Sequence, residues 1–178
     1  MQQSLVNHRA KLKPAAARDF TELGRALTSS ISGEVRFDPG SRALYSTGGA
    51  NWRQVPIGVV IPRLIDDVVK TISICRDFGA PILSRGGGTG LAGQTTNVAV
   101  VIDFSKYLNG IIALDSAAHE ATVQPGLILD HLRQAAEKYH LTFGPDPSTH
   151  NHCTLGGMIG NNSCGYSFGN GRQDLGQC

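Results

Sequence analysis

The chain has 178 residues, 40% of them apolar and 17% charged, with a net charge of +2. That length suits one domain with a buried core, and the composition excludes a disordered chain or a coiled coil. The charge is dispersed, which excludes the concentrated basic face of a nucleic-acid reader; the best apolar stretch, Ile57 to Ile65, is broken by Pro62 and Arg63, well short of the ~20 residues of a membrane span.

Residues 1–17 carry Lys and Arg without an apolar segment, so they form no secretory signal, and they lack the Ser and Arg richness of a transit peptide. The expected location is cytoplasmic, where Cys75, Cys153, Cys164 and Cys178 are reduced thiols. Their spacings match no zinc ribbon or iron–sulfur run, and His150-Asn-His152-Cys153 reads as a polar loop, so no metal is expected.

Asp19–Ser29 is expected as a helix with Phe20, Leu23 and Leu27 on one face, followed by a strand at Glu34–Phe37 that Pro39-Gly40 ends. Residues 41–56 are mixed and polar. Gly58–Ile61 reads as a buried strand closed by Pro62. Leu64–Phe78 reads as a helix whose stripe is Ile65, Val68, Val69, Ile72 and Cys75, with Asp66 and Asp67 opposing the helix dipole and Gly79 as the stop. Pro81–Leu83 and Val98–Asp103 are the next strands, and this strand–helix–strand order predicts a parallel crossover unit. Asn109–Leu114 and His119–Val123 form an antiparallel pair. Leu127–Tyr139 is a helix with Ile128, Leu132, Ala135 and Tyr139 inward. From Thr142 onward glycine and asparagine dominate without periodicity, which predicts a loop system that wraps a ligand or stays disordered.

The main chemical signal is Arg85-Gly-Gly-Gly88-Thr-Gly90-Leu-Ala-Gly93-Gln94. Consecutive glycines permit positive φ and strip one side of the backbone of Cβ atoms, so successive N–H groups can converge on an anion. A flexible linker is the plain alternative, but this stretch lies between two apolar strands. Gly88, Gly90 and Gly93 also satisfy G-x-G-x-x-G, yet that fingerprint needs a helix to begin at its glycines, and here Thr95-Thr96-Asn97 leads into a β-branched strand. A nicotinamide-binding Rossmann unit is therefore rejected, as is a Walker A loop, for want of Gly-Lys-Ser/Thr.

A second loop runs from Phe143-Gly-Pro-Asp-Pro-Ser148 to Cys153-Thr-Leu-Gly-Gly-Met-Ile-Gly160-Asn-Asn-Ser-Cys-Gly165. Gly156-Gly157 permits close approach to a flat ring, and Thr154, Asn161, Asn162 and Ser163 offer hydrogen-bonding groups; Asx turns explain the asparagines equally well.

Taken together, the two loops and Val123-Gln-Pro-Gly126 resemble the FAD-linked oxidases of the vanillyl-alcohol-oxidase fold, nearest the D-lactate dehydrogenase and glycolate oxidase flavin-subunit group; residues 40–170 carry the resemblance. It implies an α+β, PCMH-type FAD-binding domain: an N-terminal βαβ lobe plus the start of a second lobe, with residues 1–40 as an N-terminal helical extension and 41–178 as the FAD-binding domain, incomplete at its C-terminus. It assigns Gly86, Gly87, Gly88, Thr89, Gly90 and Leu91 to the FAD pyrophosphate, and Pro145, Asp146, Ser148, Thr154, Gly157, Asn161, Ser163 and Gly165 to the flavin ring. Arg85 has the plainer part of pinning the loop to nearby carbonyls. Related oxidases with covalent flavin often carry His directly after the loop's glycines; Thr89 stands there, so FAD is expected to be non-covalent.

The implied parent enzyme oxidises a D-2-hydroxy acid (D-lactate, glycolate or D-2-hydroxyglutarate) and passes electrons to a quinone, cytochrome or iron–sulfur centre. Its base and carboxylate-binding arginine are expected beyond Cys178, so no catalytic residue is assigned and the chain alone is expected to be inactive. A non-catalytic FAD-binding module and a truncated remnant stay open as alternatives. The family usually has Ser or Thr capping the helix after its first strand, where Arg63 stands here.

Overall fold

The computed structural model describes residues 19–164 and combines helices with two sheets. It divides into two compact units: residues through Arg85 together with Gly90–Asp103, and Gly86–Thr89 together with the chain from Phe104 onward.

The first unit contains α1 (Thr21–Ser30), β1 (Glu34–Arg36), α2 (Pro39–Leu44), β2 (Gly58–Ile61), α3 (Ile65–Asp77), β3 (Ile82–Arg85) and β4 (Val100–Asp103). Its sheet has the order β1-β2-β4-β3, with β4 parallel to both β2 and β3 and β1 antiparallel to β2. Every residue of β2 and β4 is buried, as parallel strands covered on both faces require. Leu23 and Leu27 of α1 pack with Ile57, Val60, Cys75 and Val100 in one core, so much of the stretch read as an N-terminal extension is built into this unit. β3 and β4 are parallel neighbours joined by residues 86–99 with no helix between them, so the glycine loop itself is the crossover.

The strand β1 ends ahead of Pro39-Gly40 as expected, and these residues also start a helix: Asp38 accepts the N–H of Ser41 as N-cap, and Pro39 sits in the first turn. One expectation for this unit is corrected. The inward face of α3 is Asp67, Thr71 and Cys75, while Ile65, Val69 and Ile72 are exposed. Asp67 turns the helix this way. Its carboxylate accepts hydrogen bonds from the N–H and Oγ of Ser32 and from the N–H groups of Arg63 and Leu64, so a charged residue holds the buried side. Leu64, rather than Arg63, is the N-cap, and Asp67 at the third helical position reaches back to accept its N–H, the acidic half of a capping box.

The second unit contains the hairpin β5 (Ile111–Asp115) and β6 (Glu120–Val123), α4 (Leu129–Glu137) and α5 (Leu155–Gly160). Asp115 Oδ1 accepts the N–H groups of Ala117 and Ala118 in the turn, and a register shift falls between Ile111 and Ala113. The core joins Leu127, Leu129 and Leu132 to Cys153, Leu155 and Met158. The inward face of α4 is Leu129, Leu132 and Ala136, not Ile128, Ala135 and Tyr139, because Ile128 is still extended and only caps the helix. The run from Phe143 to Cys164 also holds a regular element, the helix α5. Thr154 caps α5 by accepting the N–H of Gly157, and helical glycine is tolerated because Gly156 leaves no room for a Cβ, which would lie 2.7 Å from Pro125 Cβ. No helix among the described residues is long and apolar enough to cross a membrane.

Candidate functional site

The glycine loop departs from the C-terminal end of β3, the end at which open parallel sheets place their ligands. Arg85 closes that strand and is paired in register with Asp103, the last residue of β4. Its Nη1 donates to the carbonyls of Thr95 at 3.1 Å and Tyr45 at 3.3 Å, and its Nη2 to Thr47 at 2.9 Å. The pinning part expected of Arg85 is thus what the geometry shows. The guanidinium lies 5.2 Å from the Tyr45 ring centroid, and Tyr45 Oη donates to Asp103 Oδ2 at 2.5 Å. Burial lowers the Arg85 pKa, opposed by Asp103 and Tyr45, and burial with the Asp103 hydrogen bond raises that of Tyr45. Sequence reasoning missed Tyr45 and Asp103; they lie 58 residues apart, and no local pattern joins them.

Within the second unit the two loops meet. A Cβ on Gly86 would lie 2.0 Å from Thr154 Oγ1, and one on Gly87 would lie 2.2 Å from the His152 carbonyl oxygen. These glycines are required first by backbone packing, a role the sequence reading did not assign. Gly88 follows with φ of 69°, the left-handed region that L side chains avoid. Among the described residues, none of the main-chain hydrogen bonds is donated by Gly86, Gly87, Gly88, Thr89, Gly90 or Leu91. A run of N–H groups without acceptors among the described residues is the donor set a diphosphate needs, so this segment fits the cofactor the resemblance implies. In the first unit, Gln94 Oε1 accepts the N–H of Ala92, and Trp52, 61% exposed, lies so close to Gly93 that a Cβ there would be 2.6 Å from its Cδ1.

The second loop is tied down by Arg133 of α4. Its Nη1 meets Asp146 Oδ1 at 2.7 Å, and its Nη2 donates to the carbonyls of Phe143 and Pro145, both at 3.2 Å. Asp146 is therefore engaged by a cation of its own chain. His150 Nδ1 lies 2.8 Å from both oxygens of Asp130, a second tie to α4. Ser148 is exposed within a turn in which the N–H of His150 donates to Pro147. Thr154 is buried at the head of α5; the Gly157 carbonyl accepts both N–H and Nδ2 of Asn161, and the N–H of Ser163 donates to Met158. Gly165 lies outside the described residues. No group of three or more His, Cys, Asp or Glu that could hold a metal occurs among the described residues. A cavity of about 950 Å³ opens elsewhere, lined by Phe20, Val35, Phe37 and Val98 among others; it touches neither loop and belongs to the packing of α1.

The D-2-hydroxyglutarate dehydrogenase of Pseudomonas putida is 31% identical over 161 residues, 85% of this chain and 16% of that protein. The glycolate oxidase subunit GlcD of Bacillus subtilis is 36% identical over 140 residues, 76% of this chain and 30% of that protein. The chain thus spans less than a third of either relative. Among solved structures, an alkyldihydroxyacetonephosphate synthase superposes with a TM-score of 0.73 at 21% identity, over 83% of this chain and 30% of that one. A p-cresol methylhydroxylase gives 0.68 at 17%, over 79% and 29%. These likenesses show the fold, an α+β PCMH-type FAD-binding architecture, as the resemblance implies. The profile of the FAD binding domain family matches residues 56–172, so the chain belongs to that family and its cofactor is FAD.

Proposed function

We propose that this chain is the FAD-holding part of an oxidoreductase that oxidises a small D-2-hydroxy acid, with electrons passing on to a quinone, cytochrome or iron–sulfur acceptor. The observation that carries the reading is the run of main-chain N–H groups from Gly86 to Leu91 that donate to nothing among the described residues, inside a chain of the FAD binding domain family. These residues hold the pyrophosphate. Pro145, Asp146, Ser148, Thr154, Gly157, Asn161, Ser163 and Gly165 face the flavin ring, where Arg133 and the Thr154 cap fix the loop. FAD supplies a hydride acceptor; the chain's part is to orient it and shape its surroundings. The substrate class is supported by the relatives named for D-2-hydroxyglutarate and glycolate.

The test is a titration read by the fluorescence of the chain's one tryptophan, Trp52, which lies against Gly93. FAD is expected to quench it saturably, and riboflavin, which lacks the pyrophosphate and adenosine, to bind at least about tenfold more weakly, as the loss of even one charge-assisted contact implies. Equal affinity for the two would exclude the loop as the pyrophosphate site. The bound flavin is non-covalent, since Thr89 cannot form a histidyl bond. Acid precipitation is expected to leave the yellow colour in the supernatant; fluorescence that stays with the denatured chain would refute this.

A further inference from the structure

We propose that Tyr45 and Asp103 are positioning residues of the cofactor site, acting through Arg85 to clamp the two ends of the glycine loop together; this rests on the reading of Gly86–Leu91 as the pyrophosphate-holding segment. Arg85 is the last residue before the loop and Thr95 follows Gln94 at its far end, so the single guanidinium that bonds Thr95 ties departure to return. The same group binds the carbonyls of Tyr45 and Thr47, which fixes the clamp to a third segment.

Behind it stand Tyr45 and Asp103. Asp103 is only 7% exposed, and a carboxylate is costly to bury unless it has work to do. It accepts the Tyr45 hydroxyl at 2.5 Å, which locks the ring over which the guanidinium lies at 5.2 Å. The Tyr45 phenol stays protonated and donating, since burial and its bond to Asp103 raise its pKa. Polar side chains of this kind are not needed for the unit's core, which is built from Leu23, Leu27, Ile57, Val60, Cys75 and Val100. They are needed where a loop whose amides from Gly86 to Leu91 donate to no described acceptor must keep its shape before its ligand arrives. A loop held in its bound form loses less entropy on binding, and that raises affinity without any new contact to the ligand. Arginine is specified because only its fork reaches three carbonyls at once; lysine keeps the charge and loses the geometry.

The experiment uses the 178-residue chain and the variants Tyr45→Phe, Asp103→Asn, their double, and Arg85→Lys. FAD affinity is measured by fluorescence titration, and amide hydrogen exchange is followed without FAD. Each single variant is expected to weaken FAD about tenfold, the effect of one lost hydrogen bond to a charged group. Exchange should quicken in residues 86–95 and stay unchanged in β2 and α3. The double variant should lose less than the two singles together, because Tyr45 and Asp103 act on the same guanidinium and on each other. Additive losses, or faster exchange throughout the unit, would make the cluster a general structural element and overturn the clamp. Wild-type affinity in the variants, with FAD binding intact in the parent chain, overturns the clamp alone. A parent chain that takes up no FAD overturns the underlying reading as well, whereas loop exchange still reports on the clamp itself.

Discussion

Valine in place of Gly88 is expected to abolish FAD binding while the far-ultraviolet circular dichroism of the chain stays as it was. Gly88 has φ of 69°, where an ordinary L residue is disfavoured by roughly 1–2 kcal/mol and a β-branched one by more. Valine would therefore rotate the backbone out of this conformation, and the N–H groups on either side would turn away from a common ligand. Its branched side chain would also stand on the face that an anion must approach. Fluorescence titration of FAD against the parent chain reads the effect, and unchanged affinity would remove the loop from the site. Alanine at Gly87 makes the contrasting case. There the obstacle is protein, since the new Cβ would lie 2.2 Å from the His152 carbonyl oxygen. Overpacking against main chain costs typically about 1–3 kcal/mol. Gly87→Ala is expected to lose FAD affinity only as far as it lowers the melting temperature, whereas Gly88→Val loses affinity well beyond what its backbone strain costs in stability.

Replacing Asp67 by alanine is expected to cost about 3 kcal/mol or more, since it strands several donors in a part-buried place. Asp67 is 2% exposed and accepts from Ser32, Arg63 and Leu64. Burial acts to raise its pKa, but those hydrogen bonds overcome burial and leave it below the ordinary carboxylate value. The folded chain thus holds the proton less tightly than the unfolded chain. The stabilisation is complete above the unfolded value of ~3.9 and is lost as the pH falls through the lower folded value. Urea denaturation at pH 7 should show the full difference between parent and Asp67→Ala, and the difference should shrink as the pH drops below ~3.9. A gap that keeps its size in acid would show that the carboxylate's charge plays no part.

The sequence was most legible where one physical rule acted alone. The buried strands at Gly58–Ile61 and Val100–Asp103 are short β-branched runs, and the hairpin at Ile111–Val123 is two short strand-forming runs on either side of an Asp115 turn. It was misleading where a distant partner decided the outcome. The stripe of α3 pointed to Ile65, Val69 and Ile72, but Asp67 is drawn inward by Ser32, 35 residues away, and carries Thr71 and Cys75 with it. The short helices α2 and α5 begin at Pro39 and contain Gly156-Gly157, residues that propensity assigns to turns; capping by Asp38 and Thr154, and the close approach of Pro125, decide otherwise. The glycine loop was found by composition. The packing of Gly86 and Gly87 on Thr154 and His152 was not, because glycine has no side chain whose pattern could announce a neighbour.

The course of the chain through its two compact units bears on how such a protein can be divided. Gly86–Thr89 belong to one unit, and the residues on either side of them, through Arg85 and from Gly90, belong to the other. A single cut after Arg85 strands Gly90–Asp103, with strand β4, on the wrong piece, and a single cut after Asp103 does the same to Gly86–Thr89. No one breakpoint in the coding sequence yields two intact modules. Gene fusion, recombination or a split-protein design must therefore pass the glycine loop and both of its flanks on together.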